Sequence, residues 1–274
     1  MIFSDNDFEL FVDPPGSTHM YKEIEVNALG TMWNLCLNEP YGDGGYENST
    51  RVMSPSFDML GEPYITDPSW NTMKSAVTYN PEGLINDPST SPSVGWGVEL
   101  AVPLSGLIYN TTTPLPKSGD FWRLDFSRVE WRVLVNESTN TYYKDPLYPN
   151  EDNWVWNPIG VVAMHNPDKW GIVQFGDEVG VDDGIVGDYG SWGVRELLMN
   201  VYYAQNSYRS ANGVYTMDLE ELDELAPEGG CIKGCGTDLD VEVGDGGWKG
   251  KGSLNGWRGT VDNTRFLQVE EITR

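Results

Sequence analysis

The segment Trp96-Gly97-Val98-Glu99-Leu100-Ala101-Val102-Pro103 alternates large apolar residues with polar or small ones at period two. That rhythm suits a half-buried strand and not a helix, whose apolar face repeats every three to four residues. It puts Trp96, Val98, Leu100 and Val102 on one face, toward a core, and Glu99 on the other. Similar strands are expected over Phe8 to Val12, Tyr21 to Ala28, Thr31 to Leu37, Lys74 to Tyr79, Phe121 to Val135 and Ile172 to Phe175, bounded by Gly, Pro and Asn clusters and with no convincing helix between them. Many short strands joined by turns imply an antiparallel β-sandwich.

The last hundred residues are built differently. Of the 17 prolines, 16 fall at or before Pro167, and 8 of the 11 tryptophans at or before Trp170, so the composition changes near there. The glycines and like charges between Phe175 and Ser191 favour an extended, solvated connection. The expected organisation is a sandwich over residues 1–175, an acidic Gly-rich linker over 176–190, and a small α+β domain over 191–274. Beyond the linker, Val194, Leu197, Leu198, Val201, Tyr202 and Tyr208 line one helical face, which Gly213 is placed to end. Asp218 followed by Glu221 resembles a capping box opening a second short helix, Leu219 to Leu225, stopped by Pro227. A few small strands are expected beyond Thr237.

Charge excludes some function classes. There are 17 Lys and Arg against 42 Asp and Glu, a formal net charge of −25. A nucleic-acid partner, which needs a basic face, is not expected. No apolar run approaches the ~18 residues of a membrane-spanning helix, so no membrane partner is expected, and the first residues lack the basic and apolar regions of a signal peptide. Of three cysteines, Cys231 and Cys235 are spaced for a short-loop disulfide, for two free thiols or for half of a zinc site, while Cys36 falls in a strand. Glycosylation sequons stand at Asn48, Asn110 and Asn136. No Ser-His-Asp order, phosphate loop or His-Glu-x-x-His occurs, so no independent catalysis is expected.

The segment Phe3-Ser4-Asp5-Asn6-Asp7-Phe8-Glu9-Leu10-Phe11-Val12-Asp13-Pro14, with Thr18-His19, Tyr21 and Asn27-Ala28-Leu29-Gly30-Thr31, resembles the family-9-like carbohydrate-binding modules. The resemblance continues through Gly95 to Glu99, Trp122 to Trp131 and Asn153 to Phe175, covering about residues 2–175. It implies a sandwich related to DOMON domains that binds sugar without catalysis, its ligand a plant or algal polysaccharide such as xylan, at an extracellular or cell-surface location. Relatives carry further strands before the Asp-Asn-Asp-Phe-Glu strand, so the expectation is either that the sequence is truncated there or that the sandwich lacks its first strands. Aligned with xylanase-attached modules, Phe3 and Met164 fall at the two positions that clamp a terminal sugar, and Glu9, Glu25, Asp125 and Val161 at its polar positions. Only Glu9 matches the relatives; Glu25 stands where they have arginine. Some DOMON relatives bind haem through Met and His, and here each histidine, His19 and His165, has a neighbouring methionine, Met20 and Met164. Adjacent strand residues point to opposite faces, so an axial pair would have to come from separate segments.

A pyranose ring stacks its C–H faces on flat aromatics while its hydroxyls need in-plane donors and acceptors. The segment Glu151-Asp152-Asn153-Trp154-Val155-Trp156-Asn157-Pro158 has both components, with Trp154 and Trp156 on one face and Asn153 on the other. The candidate carbohydrate site is Glu9, Asn153, Trp154, Trp156 and Trp170; the competing reading puts the tryptophans in the core. Strand spacing places Asp5, Asp7 and Glu9 on one face. Three adjacent carboxylates repel unless offset by Arg123, Arg128 or Arg132, by solvent, or by a structural Ca²⁺ for which Asp5 and Asp7 are the candidate ligands. The linker acids Asp182, Asp183 and Asp188 read as a solvated hinge. The rival to sugar binding is a structural or protein-interaction sandwich that has lost its site.

Overall fold

The computed structural model describes residues 2–45, 73–80, 86, 88, 95–108, 111–176 and 189–273. The sequons at Asn48 and Asn110, the acids Asp182, Asp183 and Asp188, and most of the expected linker lie outside them. The chain is mainly β, with antiparallel sheets and few helices. Its first part contains β1 (Asp7–Asp13), β2 (Tyr21–Asn27), β3 (Met32–Leu37), β4 (Lys74–Asn80), β5 (Gly95–Ala101), the single-turn helix α1 (Leu104–Leu107), β6 (Phe121–Glu130), β7 (Val133–Asn136), β8 (Thr141–Lys144), β9 (Asp152–Val155) and β10 (Gly171–Gln174).

One sheet has the order β10-β6-β1-β2-β3, with β9 also pairing β6, and β4 and β5 form a separate two-stranded sheet. Period-two alternation gives the large sheet two faces of opposite character. Leu10, Val12, Ile24, Val26, Cys36 and Trp122 form a buried cluster against which Val77, Val98 and Leu100 of β4 and β5 pack. This is the apolar contact between layers that the alternation in residues 96–103 predicts. The opposite face carries Asp7, Glu9, Glu23, Glu25, Asp125 and Ser127, all at most 5% exposed. At one end that face is closed by Phe11, Tyr21, Leu37, Ile159, Met164 and Trp170. The Phe121 to Val135 segment is not one strand: β6 ends at Glu130, and β7 pairs with β8 as a separate hairpin whose residues are all exposed.

The C-terminal part comprises α2 (Trp192–Asn212), α3 (Leu219–Glu224), β11 (Thr237–Gly244), β12 (Gly247–Leu254), β13 (Trp257–Asp262) and β14 (Gln268–Glu271), the strands pairing in sequence order. Val194, Leu198, Val201 and Tyr202 of α2 pack with Leu222, Val241, Trp248 and Val261. Gly213 ends α2 at φ 78°, a left-handed conformation open to glycine, with its N–H bonded to the Arg209 carbonyl. The capping box does not close: the Asp218 side chain accepts from Glu220 N, while Glu221 is occupied by the Thr216 hydroxyl. Cys231 and Cys235 form a disulfide and Cys36 is a buried free thiol. Among the described residues no helix is long and apolar enough to cross a membrane.

The two parts meet through polar contacts on Arg265. Its guanidinium lies 2.8 Å from Asp43 and 3.1 Å from Asp168, and both carboxylates are nearly buried. Tyr203 donates to Asp168 at 2.8 Å and Tyr202 to Asp43. Thr18 donates to the Arg265 carbonyl at 2.7 Å, and Leu267 N to the Ser17 carbonyl at 3.1 Å.

Candidate functional site

The carboxylate-bearing face of the large sheet opens into a cavity of about 600 Å³, lined by Phe3, Glu9, Glu23, Glu25, Trp33, Tyr41, Glu151, Asn153, Met164, His165 and neighbours. Register explains the assembly. Trp33 on β3 is opposite Glu25 on β2, Glu25 is opposite Glu9 on β1, and Glu9 is opposite Ser127 on β6. One row across four strands thus runs from an indole through two carboxylates to a hydroxyl, because directly opposed residues share a face. In the adjacent rows Glu23 lies opposite Phe11, which lies opposite Asp125, and Asn153 on β9 lies opposite Val129.

The acids are not offset by the arginines. Arg128 pairs with Glu130 and Arg132 with Asp152, while Arg123 donates to the Trp170 carbonyl and lies 4.6 Å from the Trp192 ring. Both carboxylate oxygens of Asp7 and of Asp125, and one oxygen each of Glu9, Glu23 and Glu25, have no hydrogen-bond partner in the protein. Burial, then the charges of Glu9, Glu25 and Asp5, pushes the Asp7 carboxyl up to about 8. Burial likewise raises Glu9, Glu25 and Asp125 to about 7, and the charge of Glu9 adds to the rise at Glu25 and Asp125. Glu23 rises well above the usual carboxylate range through burial and the proximity of Glu25 and Glu9. These groups hold protons at a pH where an exposed acid holds none. His165 bonds the Tyr21 hydroxyl at 2.8 Å and lies 3.7 Å from Glu23; burial lowers its pKa to about 4, so the imidazole is neutral.

Of the residues expected at a sugar site, the structure brings Glu9 and Asn153 into this cavity and leaves the tryptophans out. Trp154, 62% exposed, and Trp156, 47% exposed, are not core, but alternation along β9 turns Trp154 away from Asn153, and Trp156 stands against Phe126 on the other side of the sheet. Trp170 is corrected outright: it is 1% exposed, packed against Phe11 and Tyr21, with its indole N–H bonded to the Met164 carbonyl. No ring face is left for a sugar. The polar neighbours that suggested exposure are themselves absorbed, Lys169 lying 4.7 Å from the Tyr203 ring.

The expected Ca²⁺ pair also separates. Asp5 precedes β1 and is exposed, bonded to Asn6 N and the Asn27 amide, whereas Asp7 is fully buried. The acids that converge are Glu9, Glu23 and Glu25, each offering an oxygen within 4.8 Å of the others. Glu23 escaped the sequence reading, though its signal was present: in Tyr21-Lys22-Glu23-Ile24-Glu25-Val26 the glutamates alternate with apolar residues and so share a face. Trp33 carried the same signal on β3. His19 bonds the Thr264 carbonyl at 2.7 Å, on the contact with the C-terminal part and apart from His165. Comparison with protein-family models, curated proteins and solved structures finds no match to this chain.

Proposed function

We propose that the chain is a non-catalytic carbohydrate-binding protein whose site is the cavity on the carboxylate face of the sandwich. The observation that carries this reading is the union, in about 600 Å³, of exposed or half-exposed rings, Phe3, Trp33 and Tyr41, with the oxygen- and amide-bearing Glu9, Glu23, Glu25, Glu151 and Asn153. A ring to stack on and a rim of acceptors are what a pyranose demands, and the volume suits one or two sugar units. The family-9-like resemblance adds support, because four of its six site positions, Phe3, Met164, Glu9 and Glu25, line this one cavity. Plant or algal polysaccharides remain the proposed ligand class, with the protein acting beside their degradation at or outside the cell surface.

Electrophoresis through gels containing xylan, cellulose or an algal polysaccharide tests this. At least one gel is expected to retard the protein, and Trp33→Ala to weaken retention about tenfold, the loss of roughly 1.4 kcal/mol of stacking and burial. Removing both Trp154 and Trp156 is expected to leave it unchanged; loss only on that second substitution contradicts the assignment. A specific observation favours the rival protein-interaction reading. The β7–β8 hairpin and its return expose Val133, Leu134, Val135, Tyr142, Tyr143, Leu147 and Tyr148, an apolar arm of the kind that partners cover. Indifference of every gel to the protein would favour that rival.

A further inference from the structure

A second cavity, of about 340 Å³, lies between the two parts of the chain and shares no residue with the acidic one. Arg123, Lys169 and Arg195 line it, three of only 17 basic residues in a chain with 42 acidic ones. The helix α2 begins at Trp192, on the wall of this cavity, so the positive end of its dipole adds to the field.

The two arginines are buried without an anion. Arg123 is 5% exposed and Arg195 9%, and among the described residues neither has a carboxylate at ion-pair distance. Asp13, directly opposite Arg123 on β1, instead accepts from the Ser17 and Thr18 N–H groups at 3.2 and 2.7 Å, and Asp168 is held by Arg265. Arg195 donates to the Ser191 hydroxyl and to the Gly16 and Pro15 carbonyls. Arg123 makes a single hydrogen bond, to the Trp170 carbonyl at 2.8 Å, and its remaining donors have no partner among the described residues. A guanidinium stays charged at any physiological pH, so burying one beside another without an anion is unfavourable.

The donor set selects the ligand. Free N–H groups on a planar guanidinium match a carboxylate, which they bond in pairs. The same cavity holds what the rest of a sugar needs. Trp192 is 38% exposed, with Arg123 4.6 Å from its ring centre, and Asn157, Asn200 and the exposed Glu196 offer partners for hydroxyls. A uronic acid combines one carboxylate, apolar C–H faces and hydroxyls in a ring that a cavity of this volume accommodates.

We infer that this cleft is a second carbohydrate site, selective for a uronic acid residue, whose carboxylate bonds the free donors of Arg123 while its ring lies against Trp192. The inference extends the carbohydrate reading to an acidic sugar but uses no residue of the acidic cavity, so the two fail separately.

Calorimetric titration of sodium glucuronate, and of glucose, into the full chain at about 0.15 M salt to screen the surface acids tests it. Saturable binding of glucuronate is expected, at least about tenfold tighter than that of glucose and at least about tenfold weaker in Arg123→Gln and in Trp192→Ala. Trp192 is exposed, so its alanine variant reads the site even where loss of the buried Arg123 disturbs folding. By NMR, the Trp192 indole resonance is expected to move with glucuronate while that of Trp33 stays. No saturable glucuronate binding, equal affinity for glucose, or a shift of Trp33 with Trp192 silent overturns the assignment. Inorganic sulfate binding as tightly as glucuronate overturns the sugar and leaves only an oxyanion cleft. Glucuronate binding by a chain that no xylan or cellulose gel retards upholds this cleft without the acidic cavity. Retention in those gels with no glucuronate binding does the reverse.

Discussion

Raising the pH from 6 to 8 in the absence of divalent cations is expected to destabilise this protein by at least about 3 kcal/mol, lowering its Tm by roughly 10 °C. The sign follows from which state holds the protons. Unfolded, Asp7, Glu9, Glu25 and Asp125 titrate near their ordinary values around 4; folded, they titrate at about 8, 7, 7 and 7. Between those limits the folded chain binds more protons, so stability declines as pH rises, steeply as it passes about 7 and still declining as it passes the Asp7 value of about 8. His165 works oppositely, its folded value of about 4 lying below the unfolded one near 6.5, but that one group levels off above about pH 7 and is outweighed by the four acids. A tenfold difference in proton affinity between the two states corresponds to about 1.4 kcal/mol, and the figure of 3 is set well below the simple sum because the acids interact and relax together. Urea denaturation at pH 6, 7 and 8 in chelator measures it. Glu25→Gln, which removes one of the titrating charges, is expected to flatten the slope; stability constant or rising over that window would contradict the account of the acidic face.

The second large effect is at Arg265. Replacing it by alanine is expected to cost about 3–5 kcal/mol, because the buried Asp43 loses the guanidinium beside it and the buried Asp168 keeps only Lys169, 4.0 Å away, as a cation. Their side chains are 9% and 3% exposed, and Arg265 lies at ion-pair distance from both. The guanidinium also lies over the rings of Tyr202 and Tyr203, at 4.8 and 5.7 Å, so packing is lost together with charge. Chemical unfolding of Arg265→Ala against the native chain reads the cost, and Arg265→Lys, which keeps the charge but loses the planar fork, is expected to recover only part of it. A loss below about 1 kcal/mol, the scale of a surface ion pair, would contradict the role given to this contact. The contact also bears on the site. Asp168 follows closely on Met164 and His165, which wall the cavity, so the C-terminal part steadies one side of the pocket through Arg265.

Strands were legible in the sequence because period-two alternation is a local property. Residues 96–103 show it, as do Phe8 to Val12 and Tyr21 to Ala28, each found within a residue or two of its expected bounds. The site was legible only in part. Glu9 and Asn153 were readable as polar residues next to strand alternation, but the company they keep is set by cross-strand register, which no single segment encodes. Alternation in residues 153–157 separated Trp154 and Trp156 from Asn153 correctly, yet it does not say which face meets the cavity. Trp170 misled because its neighbours along the chain are Lys169 and Gly171, whereas its neighbours in space are Phe11 and Tyr21. Glu23 went unnoticed and Glu25 was legible only as an unmatched polar position of the sugar site, since buried carboxylates are rare; here a whole face of the sheet is built from them.

Tryptophan indole resonances, followed by NMR while the polysaccharide retained best in the gels is titrated as a short oligosaccharide, test the central assignment most directly. Perturbation of Trp33 with Trp154, Trp156 and Trp170 left in place is the predicted result. Shifts confined to Trp154 and Trp156, with Trp33 silent at saturation, would put the sugar on the wrong side of the sheet for everything proposed above.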